Sequence, residues 1–269
     1  MRSSARTLWA VALGLAPLWA QDGCKPLAPC YTAAGVVNSA SGEAGFLAPY
    51  TFATVYGTNL AFAERSRTAA DTLPGIGGLN VMVNGIVSMV FYVSPTQVNF
   101  LAPASVRAGE ATLQFIREGQ NGPAVKVTLL DAAPALFCFL DTPQWAIAQR
   151  MPDFSLATPD SPALPDQYVI LYATGLGGYA MPVDDYVPPQ SAMQIERRPA
   201  FQVLLDGVPV DDRRVEYVGS VVHYWGLIQI NLKLPPDTGS APEIRLALGA
   251  STSRAGVHLM VQPQSAIRP

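Results

Sequence analysis

Along this chain apolar and polar residues alternate in short runs, and nowhere do they fall at sustained helical spacing. Residues 52–56, 79–83, 86–93, 97–101, 111–117 and 125–130 read as strands, most of them closed by Gly, Pro, Asn or Asp. Asn84-Gly85, set between two apolar runs, is the strongest hairpin signal, because both residues tolerate the positive φ that a tight turn requires. A second series follows at 168–173, 201–205, 208–217, 227–234, 243–248 and 256–261. Short strands at regular spacing with turn residues between them predict β-sandwiches.

The two series are one pattern written twice. Ala53-Thr-Val-Tyr-Gly-Thr-Asn-Leu60 returns as Val169-Ile-Leu-Tyr-Ala-Thr-Gly-Leu176. Leu79-Asn-Val-Met-Val-Asn-Gly85 returns as Phe201-Gln-Val-Leu-Leu-Asp-Gly207, and Gln97-Val-Asn-Phe-Leu-Ala-Pro103 as Gln229-Ile-Asn-Leu-Lys-Leu-Pro235. The offsets are 116, 122 and 132 residues, so the copies differ by loop insertions. The expected fold is therefore all-β, two tandem immunoglobulin-like sandwiches. The expected division is a signal segment at 1–20, a Pro-rich lead at 21–34, the first sandwich at 35–134, a connector at 135–162, the second sandwich at 163–264 and a tail at 265–269.

Composition sharpens this. Charged residues are only 14% while Pro and Gly number 24 and 22, which suits many turns and few solvated helical faces. The formal charge is −3 and the 17 basic residues are scattered, so the electrostatic footprint of a nucleic-acid binder is lacking. At the N-terminus Arg2 and Arg6 precede an apolar run and Ala20, the layout of a cleaved secretory signal. The expected location is outside the cytoplasm: extracellular, periplasmic or at the cell surface. No apolar run beyond the signal is long enough for a membrane-spanning helix. Cys24 and Cys30 lie close together just after the cleavage point, and in an oxidising compartment they are candidates for a small disulfide loop; Cys24 is alternatively a lipidation site. Cys138, among apolar neighbours, reads as an inert thiol.

Candidate chemistry is sparse. Two long loops occupy the same place in each copy, 61–78 and 179–198, and long loops on a stiff scaffold are where binding residues sit. The second offers Tyr179, Asp184, Asp185 and Tyr186 as binding candidates, and Trp225, beside His223 and Tyr224, adds an aromatic face of the kind that sugars stack on. Gln97 and Asn99, and again Gln229 and Asn231, share a strand face; they are expected as structural pairs bonded to the backbone of a neighbouring loop. Gly175-Leu-Gly-Gly178 lacks a following helix and reads as a turn. The acidic pairs at 184–185 and 211–212 lack the interleaved spacing of a calcium loop, and no Cys/His set has metal-ligand spacing. With two histidines and no Gly-x-Ser-x-Gly elbow, no catalytic residue, metal or cofactor is assigned, and the chain is expected not to be an enzyme.

Two resemblances attach to these residues. Each half resembles an IPT/TIG immunoglobulin-like module, through Val55-Tyr-Gly-Thr-Asn-Leu60, Val81-Met-Val-Asn-Gly85 and Val98-Asn-Phe-Leu-Ala-Pro103. Almost the whole mature chain is similar to a secreted C-terminal domain family of soil acidobacteria (Solibacter-type). That likeness is carried by Gly35-Val-Val-Asn-Ser-Ala-Ser41, Tyr92-Val-Ser-Pro-Thr-Gln-Val-Asn-Phe100, Ala133-Pro-Ala-Leu-Phe137, Tyr172-Ala-Thr-Gly-Leu-Gly177 and Gly226-Leu-Ile-Gln-Ile-Asn231. The resemblance implies fold and export, and supplies no activity. The expectation is an exported, non-catalytic repeat protein for adhesion, envelope organisation or extracellular recognition, with a glycan or an envelope protein as partner. The alternative is a carbohydrate-binding protein or weak glycan hydrolase.

Overall fold

The computed structural model describes residues 24–262; the expected signal segment, the first residues of the lead and the expected tail lie outside the described residues. The first sandwich contains β1 (Cys30–Asn38), β2 (Phe52–Thr58), β3 (Arg65–Ser66), β4 (Leu79–Val83), β5 (Ile86–Val93), β6 (Gln97–Leu101), β7 (Gly109–Arg117), β8 (Gln120–Asn121) and β9 (Val125–Leu129). They join in the order β1-β2-β6-β5-β4-β7-β8, with β3 on β5 and β9 on β7. β5 serves both layers. Its first residues pair with β4 (Val81 with Ser88) and its later ones with β6 (Val93 with Val98), across a bulge after Val90. Alternation places Leu79, Val81 and Val83 of β4, and Ala111, Leu113 and Phe115 of β7, in the core.

The second sandwich contains β10 (Ala135–Leu136), β11 (Ala148–Arg150), β12 (Tyr168–Thr174), β13 (Phe201–Leu205), β14 (Val208–Pro209), β15 (Val215–Ser220), β16 (Ile228–Lys233), β17 (Ile244–Leu248) and β18 (Ser251–Thr252). One sheet runs β10-β12-β16-β15 with β11 also on β12, and the other runs β14-β13-β17-β18. Three expectations change here. The strand at 208–217 is broken into β14, a 3-10 turn at Asp212–Arg214 and β15. Pro209 has no N–H to continue the ladder, and the Asp211 carboxylate accepts from the Arg213 N–H to cap the turn. The run 256–261 buries Val257, Leu259, Met260 and Val261 but forms only isolated bridges: Val257 O accepts from Ile244 N at the start of β17, and Leu259 N donates to Pro242 O just before it. Residues 135–162 supply β10 and β11 to the second sandwich.

The sandwiches share a joint. Tyr50, Met89, Leu101 and Ala132 from the first copy belong to the buried cluster that fills the second. Asn38, fully buried, donates from Nδ2 to Phe46 O (3.1 Å) and Ala133 O (3.3 Å), fixing the crossing segment. The Phe52 N–H donates to Thr174 Oγ1 (3.0 Å). Gly175, at φ +79°, and Gly226, at φ +60°, lie so close to Ala133 O and to the Leu101 side chain that a Cβ on either would overlap them. Asn38, Ala133, Thr174, Gly175 and Gly226 thus meet where the copies touch. Among the described residues no helix is long and apolar enough to cross a membrane.

Candidate functional site

A cleft of about 1030 Å³ opens along this joint, lined from both copies. Its floor is a stair of rings. Phe52 meets Phe91 at 5.2 Å and 66°, and Phe91 meets Trp225 at 5.8 Å and 64°. Edge-to-face contacts of this kind are the favoured arrangement for aromatic quadrupoles, so the floor is stiff. β2 and β5 bring the two phenylalanines, and the turn between β15 and β16 brings Val222, His223, Tyr224, Trp225 and Leu227. Both long loops singled out by sequence arrive here, 61–78 through Arg67, Thr68, Ala69 and Asp71, and 179–198 through Pro188.

The charges in the wall are spent. Arg67 donates from Nε to Val90 O (2.6 Å), from one terminal nitrogen to Asp71 O (3.0 Å), and from the other to Leu73 O (2.9 Å) and Pro74 O. Burial lowers its pKa, since desolvation disfavours the guanidinium. Asp71 accepts from Thr68 N (2.8 Å) and Thr68 Oγ1 (3.0 Å) and pairs with Arg65; the Thr68 backbone bond leads in holding its carboxyl below the ordinary range. Together these contacts fold loop 61–78 onto β5.

The sequence candidates divide between this cleft and a clasp. Trp225 lies in the cleft floor, half-buried, its indole N–H turned inward without a partner. Tyr179 is 5% exposed and stacks edge-on against Tyr50 at 5.4 Å. Asp185 accepts from Ala104 N and from Ser105 Oγ (2.6 Å), and Tyr186 Oη donates to Val87 O (2.9 Å). These bonds cross from the second copy to the first, so residues 185–186 hold loop 179–198 against β5 and the segment after β6. Asp184, exposed, accepts from Tyr186 N (2.7 Å) within its own loop. Asp185, Tyr179 and Tyr186 fasten the joint, and Pro188 of the same loop reaches the cleft.

The polar pairs do share a face, and they bond to each other. Gln97 Nε2 donates to Asn99 Oδ1 at 2.9 Å and Gln229 Nε2 to Asn231 Oδ1 at 2.7 Å. The expected partner, loop backbone, is replaced by an i, i+2 amide ladder present in both copies. Cys24 and Cys30 are joined by a disulfide. Next to it the buried Arg117 donates to Leu27 O and Asn59 O beneath the Phe62 ring. Cys138 is half-buried and burial raises its pKa, in keeping with an inert thiol. Among the described residues no group of three or more His, Cys, Asp or Glu could hold a metal ion.

Sequence reasoning did not reach Phe52 and Phe91, and named His223 and Tyr224 only as neighbours of Trp225. One signal pointed to His223 and Tyr224: the ten extra residues between the second and third repeated blocks of the second copy, from the offset of 122 to that of 132.

No protein-family model matches the chain, and no curated protein does. Among solved structures, similarity extends to SGBP-B of the Bacteroides ovatus mixed-linkage glucan utilization locus, in complex with a mixed-linkage heptasaccharide. That match has 12% identity over 81% of this chain and 44% of that one, with a TM-score of 0.30. The plexin A4 extracellular region matches at 11% identity over 98% of this chain and 17% of that one, TM-score 0.30. The tandem immunoglobulin repeats of Dlar match at 13% identity over 87% and 95%, TM-score 0.18. The chain thus spans less than half the length of the first two. At these scores the likenesses carry no functional argument.

Proposed function

We propose that this chain is an exported, non-catalytic recognition protein of the extracellular space or cell envelope. Its two immunoglobulin-like sandwiches act as one unit and receive a glycan or an envelope protein in the cleft between them. The observation that carries this reading is the cleft itself: a concave, mostly apolar site with a few polar groups, walled by both copies, is the usual form of a binding site. The bonds of Asp185 and Tyr186 across the joint support it, because a site shared by two bodies keeps its shape only when the bodies are held in register.

The test is binding of the mature protein to cell-envelope fractions, with Ala69→Trp as the comparison. Ala69 lines the cleft from an exposed position, so a larger side chain there fills the site without disturbing a core. Saturable binding that the variant abolishes is the expected outcome. Binding untouched by the variant, or turnover of a substrate by the protein, overturns the proposal.

A further inference from the structure

We infer that the cleft selects an uncharged saccharide. This rests on the recognition reading above and adds the chemistry of the ligand.

A sugar ring is amphipathic: its C–H faces pack on aromatic rings and its hydroxyls, each both donor and acceptor, demand partners at the edges. The cleft has that division. Phe52, Phe91 and Trp225 form the apolar floor. Above them His223 and Tyr224 stand on one rim, both exposed, Tyr224 by 60%. Within the described residues neither the His223 ring nor the Tyr224 hydroxyl is engaged in a hydrogen bond; only their backbone N–H groups are, to Pro189 O (2.8 Å) and Val221 O (3.1 Å). Imidazole and phenol each offer donor and acceptor together, which matches a hydroxyl and leaves no fixed charge to be satisfied.

The charged residues argue against an acidic ligand. A carboxylate or phosphate is normally recognised by a guanidinium presenting its paired N–H groups. The guanidinium in this cleft is already committed to four backbone carbonyls, and the Asp71 carboxylate to Arg65 and Thr68. An apolar peptide would fit the floor but leave the two rim groups unused.

The rim is also held in place. His223 sits at φ 67°, a conformation uncommon for a non-glycine residue. It is maintained by the Pro189 bond from the clasped loop and by Gly226 seated against Leu101. Backbone held off its preferred region by surrounding structure is a frequent mark of a ligand site.

The experiment is calorimetric titration of the protein with neutral oligosaccharides (cello-, manno-, xylo- and chito-series), with oligogalacturonates as the acidic series, and with apolar peptides. Tyr224→Ala and His223→Asn are run alongside; Asn accepts positive φ, and neither side chain bonds within the protein, so both variants keep the wild-type melting behaviour. The expected result is a neutral oligosaccharide bound with an affinity that Tyr224→Ala weakens about tenfold and His223→Asn by less. Preference for the acidic series, no saccharide bound, or saccharide binding unchanged in both variants overturns the inference. A peptide or envelope protein bound in a manner that Ala69→Trp abolishes, with no saccharide bound, removes the saccharide class and leaves the recognition reading standing. Ligand of any kind bound equally by Ala69→Trp removes both.

Discussion

After its first repeated strand each copy turns on a residue with positive φ: Asn59 at 54° in the first, Gly175 at 79° in the second. At the hairpin, Asn84-Gly85 opens into the eight-residue β5, whereas Asp206-Gly207 opens into the two-residue β14 and a 3-10 turn. Before the third repeated block, residues 94–96 suffice in the first copy and 221–227 are used in the second. The first and third contrasts have one cause: Asn59 and the 94–96 turn answer to their own sandwich, while Gly175 and 221–227 answer to the other one. Duplication supplies the fold, and divergence where the copies touch supplies the cleft.

The contrast breaks most sharply at the first pair. Gly175→Ala strains a positive φ and drives a Cβ into Ala133 O, a backbone atom that is itself held by Asn38. The expected cost is about 3 kcal/mol or more, a fall of roughly 10 °C in melting temperature. Asn59→Gly keeps the carbonyl that Arg117 uses and eases the backbone, so it shifts stability by less than about 0.5 kcal/mol. Thermal melts of the two variants decide it, and comparable losses would show that the joint imposes nothing on Gly175.

Alkali separates the joint from the first core. Burial pushes Tyr50 up to about 12 and raises Tyr179 and Tyr31 as well, against about 10 for an unfolded phenol. A raised acid keeps its proton in the folded state. The contribution is therefore complete below pH 10 and is lost as pH climbs towards 12, at about 1.4 kcal/mol per pH unit for each tyrosine. Tyr31 is partnered, donating to Pro123 O and accepting from Phe115 N, both at 2.7 Å. The hydroxyls of Tyr179 and Tyr50 are buried without hydrogen-bond partners, Tyr50 lying only towards the Gly226 backbone. Replacing both joint tyrosines by Phe should remove their share of the fall between pH 10 and 12, leaving that of Tyr31, and leave neutral stability equal or higher. A double variant as alkali-labile as the wild type sinks this account.

Within the clasp, adjacent acids should differ. Asp185→Ala removes two bonds to the other sandwich and is expected to cost about 2 kcal/mol, while Asp184→Ala, losing a bond inside its own loop, costs a few tenths. Chemical denaturation distinguishes them; equal values would mean that the clasp does not couple the copies.

How far the sequence is legible depends on the range of the interaction. β4, β5, β6 and β13 match their expected bounds because alternation and turn residues are local signals. The break at Pro209 was readable in principle, since proline cannot sit mid-ladder, but the apolar run around it masked the signal. The fate of Asp185 and Tyr186 was not readable at all. Nothing in their neighbours says that Ala104 N or Val87 O, some eighty and a hundred positions earlier, will meet them. Trp225 was singled out as an aromatic face, yet its floor partners Phe52 and Phe91 come from the other copy. A cleft made between repeats is invisible to a reading that takes each repeat alone.

The smallest expected effect is an equality. Gly85 and Gly207 have φ of 80° and 79°, and a Cβ on either meets no atom within 4 Å. Only the backbone preference is then at stake, about 1 kcal/mol for Ala at positive φ. The strands beyond the two turns differ: β4 pairs three residues of β5, and β13 pairs two of β14. Pairing alone would let the second turn relax and make Gly207→Ala the cheaper change. The preceding residue argues otherwise. Asn84 exchanges bonds with Thr112, its Oδ1 accepting at 2.8 Å and its N–H donating at 2.9 Å; Asp206 does the same with Glu243, both at 2.9 Å. Each turn is thus gripped from the other side of its first strand, at Thr112 in β7 and at Glu243 just before β17, independently of the strand it opens. Gly85→Ala and Gly207→Ala should agree within about 0.5 kcal/mol in paired denaturation curves. A much smaller loss for Gly207→Ala would locate the grip in the β4–β5 ladder and show that splitting the strand loosened the turn before it.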